Sequence, residues 1–129
     1  QAPLYRGIVP KQEGMTTVDH YPMAEMFRAF DAAISAAGYN STMELMHHGV
    51  PTALVPFPRQ VDDQHARAQA LAEAGAALCI DELNPAALQE AASVLLNPQR
   101  AAKLAASAIR QVPDNGAERA ARAIAGLLT

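Results

Sequence analysis

The chain has 129 residues, enough for one domain that buries a core without a disulfide or a structural metal. Half of the residues are hydrophobic and 18% are charged, a balance that excludes a disordered chain. The net charge of −3 excludes a surface built to grip nucleic acid, and the apolar stretches are too short for a membrane span of about 20 residues. The single cysteine, Cys79, excludes an internal disulfide, so we predict a cytoplasmic protein.

The first third of the chain predicts a strand, a helix and a second strand. Residues 1–15 have no period and are predicted to be irregular, ahead of a domain over residues 16–129. β-Branched residues favour a strand over 16–20, and the spacing of Met26, Phe27 and Phe30 predicts a helix over 23–30. A buried strand follows over 32–36 and stops at Gly38.

The remaining elements alternate in the same way. A helix runs from about Ser41 to His48 and ends at Gly49, a strand covers 52–56, a helix over 62–74 ends at Gly75, and a strand covers 76–80. Helical segments open at 84–85 and 97–98, where Asn precedes Pro, and the turn at 113–116 starts a third. This order predicts an α/β fold with a Rossmann-like parallel sheet, helices on both faces and a helical C-terminal tail. With about four strands, the sheet is predicted to be truncated at its N-terminal side.

The junction between the strand at 32–36 and the next helix predicts a ligand site. Ligands bind beyond the carboxyl ends of such strands, and a helix N-terminus there favours an anion, for which a diphosphate is the natural guest. The amide of Asn40 and the hydroxyls of Ser41 and Thr42 supply additional donors. Glu44 lies one turn into the same helix, where a carboxylate can accept from ribose hydroxyls. The alternative is structural, because Ser41 and Glu44 also have the spacing of a helix capping box.

A longer pattern follows from this junction. Gly38 precedes Glu44 by six positions, Gly-Val-Pro follows at 49–51, an apolar strand ends in Pro56, and Asp63-Gln64 come next. The pattern resembles the donor-site signature of the UDP-glycosyltransferases of GT-B fold. It is similar to plant secondary-product glycosyltransferases and to the bacterial family that adds N-acetylglucosamine to the lipid-linked peptidoglycan precursor. The resemblance covers residues 16–129, although beyond Asn84 the chain matches only in type.

The resemblance implies a role for each matching position. The diphosphate contacts fall at the strand end and helix start, on Gly38, Asn40, Ser41 and Thr42. Ribose binding falls on Glu44, and the hydroxyls of the donor sugar fall on Asp63 and Gln64. The resemblance also implies that main-chain groups of Tyr21, Pro22 and Met23 contact the edge of the base.

Three departures from the family pattern bear on these roles. The consensus histidine falls on Ala36, which removes one phosphate contact, and the tryptophan that stacks on uracil in plant enzymes falls on His20. The glycine-rich phosphate loop of the first strand-loop-helix unit is absent from this chain.

The resemblance therefore implies the C-terminal, donor-binding domain of an inverting, metal-independent glycosyltransferase that uses a UDP-sugar. It implies no cofactor, no nucleic-acid partner and no catalytic residue in this chain, because the base and the acceptor pocket belong to the N-terminal domain. The chain alone is then expected to be inactive, and peripheral membrane association is compatible with it. Two alternatives remain open: a non-catalytic nucleotide-binding or interaction module, and a sugar-nucleotide epimerase of the same architecture.

Other polar residues have simpler structural interpretations. His47 and His48 lie in the last turn of a helix, where the macrodipole favours cationic or polar side chains over a metal site. Asp62, Asp63 and His65 surround a helix start, where carboxylates act as caps. Cys79 lies in an apolar strand and is predicted to be inert packing, whereas Arg59 is either a phosphate partner or a solvated loop residue.

Overall fold

The computed structural model describes residues 13–18, 20–114 and 116–127. A 3-10 helix, Met23–Ala29, comes first. It is followed by β1 (Ala33–Ala36), α1 (Tyr39–His47), β2 (Thr52–Val55), α2 (Gln64–Glu73) and β3 (Leu78–Cys79). Three helices complete the chain: α3 (Pro85–Leu95), α4 (Pro98–Gln111) and α5 (Ala117–Gly126).

The three strands form one parallel sheet in the order β1-β2-β3. Ala33 pairs with Thr52, and Leu54 pairs with Cys79. Leu54 of the central strand packs into a cluster with side chains of α1 and α2, whereas Ala53 and Val55 pack into a second cluster with α3. Because successive strand residues point to opposite faces, the sheet has helices on both faces. The predicted fold class is confirmed.

The predicted strand over 16–20 is wrong for the residues that can be judged. Residues 16–18 and 20 have no strand pairing, and Asp19 lies outside the described residues, as does most of the predicted irregular segment over 1–15. In a doubly wound sheet the strands lie in the order 3-2-1-4-5-6. The strands β1, β2 and β3 correspond to strands 4, 5 and 6 of that order, because these lie side by side in the order of the sequence. The strand that precedes these three in sequence is strand 3, which lies at the opposite edge of such a sheet. It therefore has no neighbour among the described strands.

Helix α1 begins earlier than the sequence predicts, and the capping box is wrong. Its N-cap is Gly38 and its first bonded N–H is that of Thr42, which donates to the Gly38 carbonyl at 3.0 Å. Ser41 is therefore already the third helical residue, and the helix start has no side-chain cap. The cause is the short connection: β1 ends at Ala36, and the Ala37 N–H still pairs with Val55 of the sheet at 3.0 Å.

The helix ends and the later helix starts follow the sequence closely. Asn84 and Asn97 accept hydrogen bonds from Ala87 and Arg100 at 2.9 and 3.0 Å, each with proline at the first helical position. The two predicted C-terminal glycines have left-handed backbone, with φ of +65° at Gly49 and +64° at Gly75.

The two glycines differ in what surrounds them. A β-carbon on Gly49 would lie 2.7 Å from Cδ1 of Ile109, because α1 and α4 meet there. A β-carbon on Gly75 would meet nothing closer than the Ser107 hydroxyl at 3.9 Å. Glycine is therefore required at position 49 both by the left-handed backbone and by the lack of space for a side chain. At position 75 it is required by the left-handed backbone alone.

We expect Gly75→Ala to lower the free energy of unfolding by roughly 1–2 kcal/mol, the cost of a side chain in left-handed backbone. Gly49→Ala is expected to cost more, because the new methyl group also displaces Ile109. Urea denaturation of both variants measures the difference. An equal loss of unfolding free energy in the two variants would contradict this prediction. It would show that α4 accommodates the methyl group without an energetic cost.

Candidate functional site

A groove of about 650 Å³ lies between the 3-10 helix, β1 and α1, next to the start of α1. It brings together predicted site residues from two distant parts of the sequence: Tyr21, Pro22 and Met23 on one side, and Asn40, Ser41 and Glu44 on the other. The short β1 strand between them is what places these two segments side by side. The groove is large enough for part of a nucleotide-sized ligand.

The start of α1 gives this groove an anion-binding end. The N–H groups of Tyr39, Asn40 and Ser41 belong to the first turn, which has no intrahelical acceptors, and the helix dipole makes this end positive. The first turn contains no acidic residue. Asn40 and Ser41 are exposed, so their side chains add an amide and a hydroxyl donor.

Thr42, the fourth residue predicted to meet the diphosphate, does not line the groove. Its side chain is fully buried, and its hydroxyl faces the core without a hydrogen-bond partner among the described residues. Its N–H is used by the bond to the Gly38 carbonyl. The early start of α1 turns this residue inward, and its predicted contact with a diphosphate stays a prediction.

Gly38 leaves open space at the head of α1. Its φ of −65° is accessible to any residue, and a β-carbon there would meet only Nε2 of Gln64, at 4.0 Å. Neither the backbone nor the packing of this protein therefore requires glycine at this position. The absence of a side chain instead leaves the first-turn N–H groups open to close approach.

Glu44 lies one turn further along α1, is exposed, and lines the same groove. Because α1 has no side-chain cap, the carboxylate is not engaged at the helix start. Its position leaves it available to a ligand whose anionic group sits at that start.

A second groove, of about 750 Å³, lies along the loop between β2 and α2 and contains Asp63 and Gln64. Both side chains have local partners: Oδ1 of Asp63 accepts from the N–H of Ala66 at 2.9 Å, and Oε1 of Gln64 accepts from the N–H of Phe57 at 3.1 Å. Asp63 is exposed and its cap uses only one oxygen, whereas Gln64 is buried. Arg59 is exposed in the same loop.

Arg67 connects the two grooves, and sequence reasoning missed it. Its Nη1 donates to the Ala37 carbonyl at 2.7 Å, its Nη2 pairs with Asp62, and its guanidinium lies over the ring of Tyr39, 5.3 Å from the centroid. One side chain thus holds the end of β1, the start of α1 and the loop after β2 together. An arginine one turn into a helix that begins with carboxylates was the only signal in the sequence.

The charge of Arg67 is matched within the protein. Its hydrogen bond lowers the pKa of the Asp62 carboxyl below the ordinary value of 3.8, against the opposing effect of burial. The guanidinium is 18% exposed and the carboxylate 29% exposed, so water screens the pair only in part. The loop is therefore held by an ionised pair at neutral pH.

This pair predicts a pH dependence of stability. Because the pKa of Asp62 is lowered in the folded state, its contribution is complete above the ordinary value of 3.8 and is lost as the pH falls below it. We expect the unfolding free energy of wild type to exceed that of Asp62→Asn at neutral pH, and the gap to close on acidification.

Urea denaturation of both proteins at several pH values measures this gap. Arg67→Met is the matched variant for the partner of Asp62. Because it also removes the hydrogen bond to the Ala37 carbonyl, we expect it to lower the free energy of unfolding by about 1.5–3 kcal/mol. A gap that stays constant down to acidic pH would contradict the ionised pair.

The remaining polar residues make contacts within the protein. Nδ1 of His47 lies 3.3 Å from the Val112 carbonyl, and His65 pairs with Asp81 at 3.0 Å. Burial raises the pKa of the Cys79 thiol to about 11, aided by its hydrogen bond to Asp81, which disfavours the reactive thiolate at neutral pH. Within the described ranges, no group of three or more potential ligand side chains could hold a metal ion.

His48 lies beside His47 at the end of α1. Burial and the nearby charges of His47 and Arg28 lower the pKa of its ring, which Glu44 opposes. The ring is therefore neutral at neutral pH, and the dipole of α1 does not hold it charged.

Comparison with known proteins identifies the family. The model of the glycosyltransferase family 28 C-terminal domain matches residues 9–123. A curated relative from Gloeobacter violaceus, named UDP-N-acetylglucosamine--N-acetylmuramyl-(pentapeptide) pyrophosphoryl-undecaprenol N-acetylglucosamine transferase, is 39% identical over 103 residues, which are 77% of this chain and 29% of the relative. The relative of the same name from Chlorobium limicola is 36% identical over 106 residues, 79% of this chain and 29% of the relative.

A third relative of that name, from Thiobacillus denitrificans, is 49% identical over 61 residues, 46% of this chain and 17% of the relative. The chain thus spans less than a third of the length of these relatives. In the described part of the chain, every helix is too short or too polar to span a bilayer. The parallel sheet, the groove at its carboxyl edge and the family match agree: the chain belongs to glycosyltransferase family 28, of which it contains the C-terminal domain.

Proposed function

We propose that this domain binds the UDP-sugar donor of an inverting glycosyltransferase. The observation that carries the proposal is the groove that joins residues 21–23 to the exposed start of α1 and to Glu44. A nucleoside diphosphate needs a surface for the base, an acceptor for ribose hydroxyls and donors for phosphates, and residues that could serve each need line this groove.

In this arrangement the diphosphate lies at the head of α1, near Gly38, Asn40 and Ser41. Glu44 accepts hydrogen bonds from the ribose hydroxyls, and main-chain groups of residues 21–23 meet the base. The sugar extends toward the loop between β2 and α2, where Asp63 and Gln64 lie. Arg67 supports this path, because it holds the head of α1 against that loop.

The names of the relatives suggest the substrates. We propose UDP-N-acetylglucosamine as the donor and an undecaprenol-linked pyrophosphate sugar as the acceptor, used on the cytoplasmic side of a membrane. An acceptor hydroxyl attacks the anomeric carbon, the bond from that carbon to the diphosphate oxygen breaks, and a base takes the hydroxyl proton. The head of α1 stabilises the charge that develops on the departing UDP without a metal or other cofactor.

The base and the acceptor pocket are assigned to protein outside this chain, because the chain spans under a third of its relatives. We therefore expect no transfer by the chain alone, and turnover with donor and acceptor would contradict this assignment. The alternatives of a binding module and an epimerase receive no support from the relatives, whose names describe transferases.

Titration of the chain with UDP, GDP, dTDP and UDP-N-acetylglucosamine tests the donor proposal. We expect UDP and its sugar to bind with about −4 to −6 kcal/mol, nearer millimolar than micromolar, and more tightly than the other nucleotides. Amide shifts should cluster at residues 38–44 and near Tyr21. Shifts confined to other surfaces would place the site elsewhere.

Glu44→Gln separates ribose binding from any role in stability. Because Glu44 takes no part in a helix cap, the variant should unfold at the same urea concentration as wild type. Its affinity for UDP should fall about tenfold, since hydrogen bonds to a charged group are lost. With 2′,3′-dideoxy-UDP the variant and wild type should bind equally. An undiminished affinity for UDP would remove Glu44 from the site.

Asp63 needs a pair of variants, because it caps α2. Asp63→Asn keeps a capping oxygen, whereas Asp63→Ala loses it and should cost about 1 kcal/mol of stability. In the full-length enzyme, we expect both variants to weaken the UDP-sugar while leaving UDP nearly unchanged, since the sugar alone contacts this carboxylate. Equal losses for the two ligands, or none for Asp63→Asn, would leave Asp63 as a cap only.

A further inference from the structure

The 3-10 helix Met23–Ala29, whose Met23 lines the first groove, is weakly held by its own hydrogen bonds. It has no side-chain cap, and 3-10 helices have poorer hydrogen-bond geometry than α-helices. Phe27 is its one buried residue. Met23 and Ala24 also pack against the core cluster that contains Phe27, so the position of this wall depends in part on how the Phe27 ring is packed.

The ring of Phe27 packs against His48, at the end of α1. The two ring centroids lie 5.9 Å apart with the planes at 83°, an edge-to-face contact. Nδ1 of His48 is buried and has no hydrogen-bond partner among the described residues. Packing against Phe27 and His47, rather than a polar bond at that atom, therefore fixes the ring.

We propose that His48 is a positioning residue for the nucleotide groove, which holds the 3-10 helix against α1 through its edge-to-face contact with Phe27. This role rests on the proposed function only for its effect on nucleotide binding. The contact itself, and its effect on the 3-10 helix, do not depend on any ligand. His48 does not line the groove, so its role would be indirect.

The charge state of His48 should matter for this role. A protonated ring would place a second N–H donor at the buried, unpartnered Nδ1. It would also attract Glu44, one helical turn earlier, away from a ribose. Arg28 from the 3-10 helix and Glu44 and His47 from α1 act electrostatically on this ring. Asp114 and Arg119 line the cavity of about 490 Å³ on its other side.

The lowered pKa of His48 agrees with a neutral working form. As the pH falls below the ordinary value of 6.5, protonation should loosen the 3-10 helix and weaken binding. UDP is a poor probe here, because its terminal phosphate titrates near pH 6. UDP-N-acetylglucosamine is suitable, since its diphosphate is esterified at both ends.

The test compares wild type, His48→Phe and His48→Ala in the chain, with affinity for UDP-N-acetylglucosamine measured between about pH 7.5 and pH 5.5. Wild type should lose affinity about threefold or more over this range. His48→Phe keeps an aromatic ring beside Phe27 and cannot be protonated, so it should match wild type at the higher pH and lose the dependence. His48→Ala should bind UDP-N-acetylglucosamine weakly at both ends of this pH range. His65→Gln, whose ring pairs with Asp81 and does not line this groove, is a control in which the dependence should persist.

Amide hydrogen exchange of residues 23–29 without ligand gives a second readout. Exchange should be fast in His48→Ala and close to wild type in His48→Phe. Similar exchange and affinity in these two variants would overturn the proposal, as would a pH dependence that survives in His48→Phe. Loosening of the 3-10 helix in His48→Ala, in a protein that binds no UDP-sugar at all, would instead uphold the positioning role and reject the proposed function.

Discussion

The complete burial of β2 is the constraint on which the rest of the structure depends. All four residues of this central strand are buried, and they alternate between two clusters of side chains. A parallel strand in this position must be covered on both faces, so α1 and α2 pack on one side and α3 on the other. The chain leaves each strand for its helix at the carboxyl edge of the sheet and returns at the amino edge. The head of α1 and the loop between β2 and α2, which contribute to the two grooves, lie where the chain leaves β1 and β2.

The anion-binding end of the first groove is built from backbone dipoles rather than from cationic side chains. Arg67, the charged residue nearest the head of α1, is engaged by the Ala37 carbonyl, Asp62 and the ring of Tyr39. Its charge therefore fixes the geometry of the site instead of facing a ligand. In the proposed function these oriented N–H groups would meet the diphosphate with little reorganisation.

The walls of the groove differ in how firmly they are held. The head of α1 is tied to the sheet by main-chain hydrogen bonds and by Arg67. The segment around residues 21–23 depends on a short helix with a single buried aromatic ring. The proposed phosphate contacts thus belong to the rigid part of the domain, and the proposed base contacts belong to the part with fewer internal bonds. In such a site, changes in packing beneath the 3-10 helix affect the base contacts first.

The sequence by itself determined the α/β class, the parallel sheet, the glycine ends of α1 and α2, and the Asn-Pro starts of α3 and α4. Each of these depends on local rules: apolar periodicity, left-handed backbone at glycine, and the fit of proline to a first helical turn. The signature from Gly38 to Gln64 likewise indicated the family, because its spacing is a property of the chain. The proposed ligand contacts at Glu44, Asp63 and Gln64 stay predictions.

Only the tertiary structure decided where α1 begins, since that depends on how far the sheet holds the chain beyond β1. This early start turned Thr42 into the core and removed the capping box of Ser41 and Glu44. The tertiary structure also decided that residues 16–18 form no strand, because a strand must pair with a neighbouring strand and sequence periodicity does not show whether one is present. The contacts of Arg67 with Ala37 and of His48 with Phe27 join residues 30 and 21 positions apart. Such contacts follow from the packing of helices on the sheet and not from any local pattern.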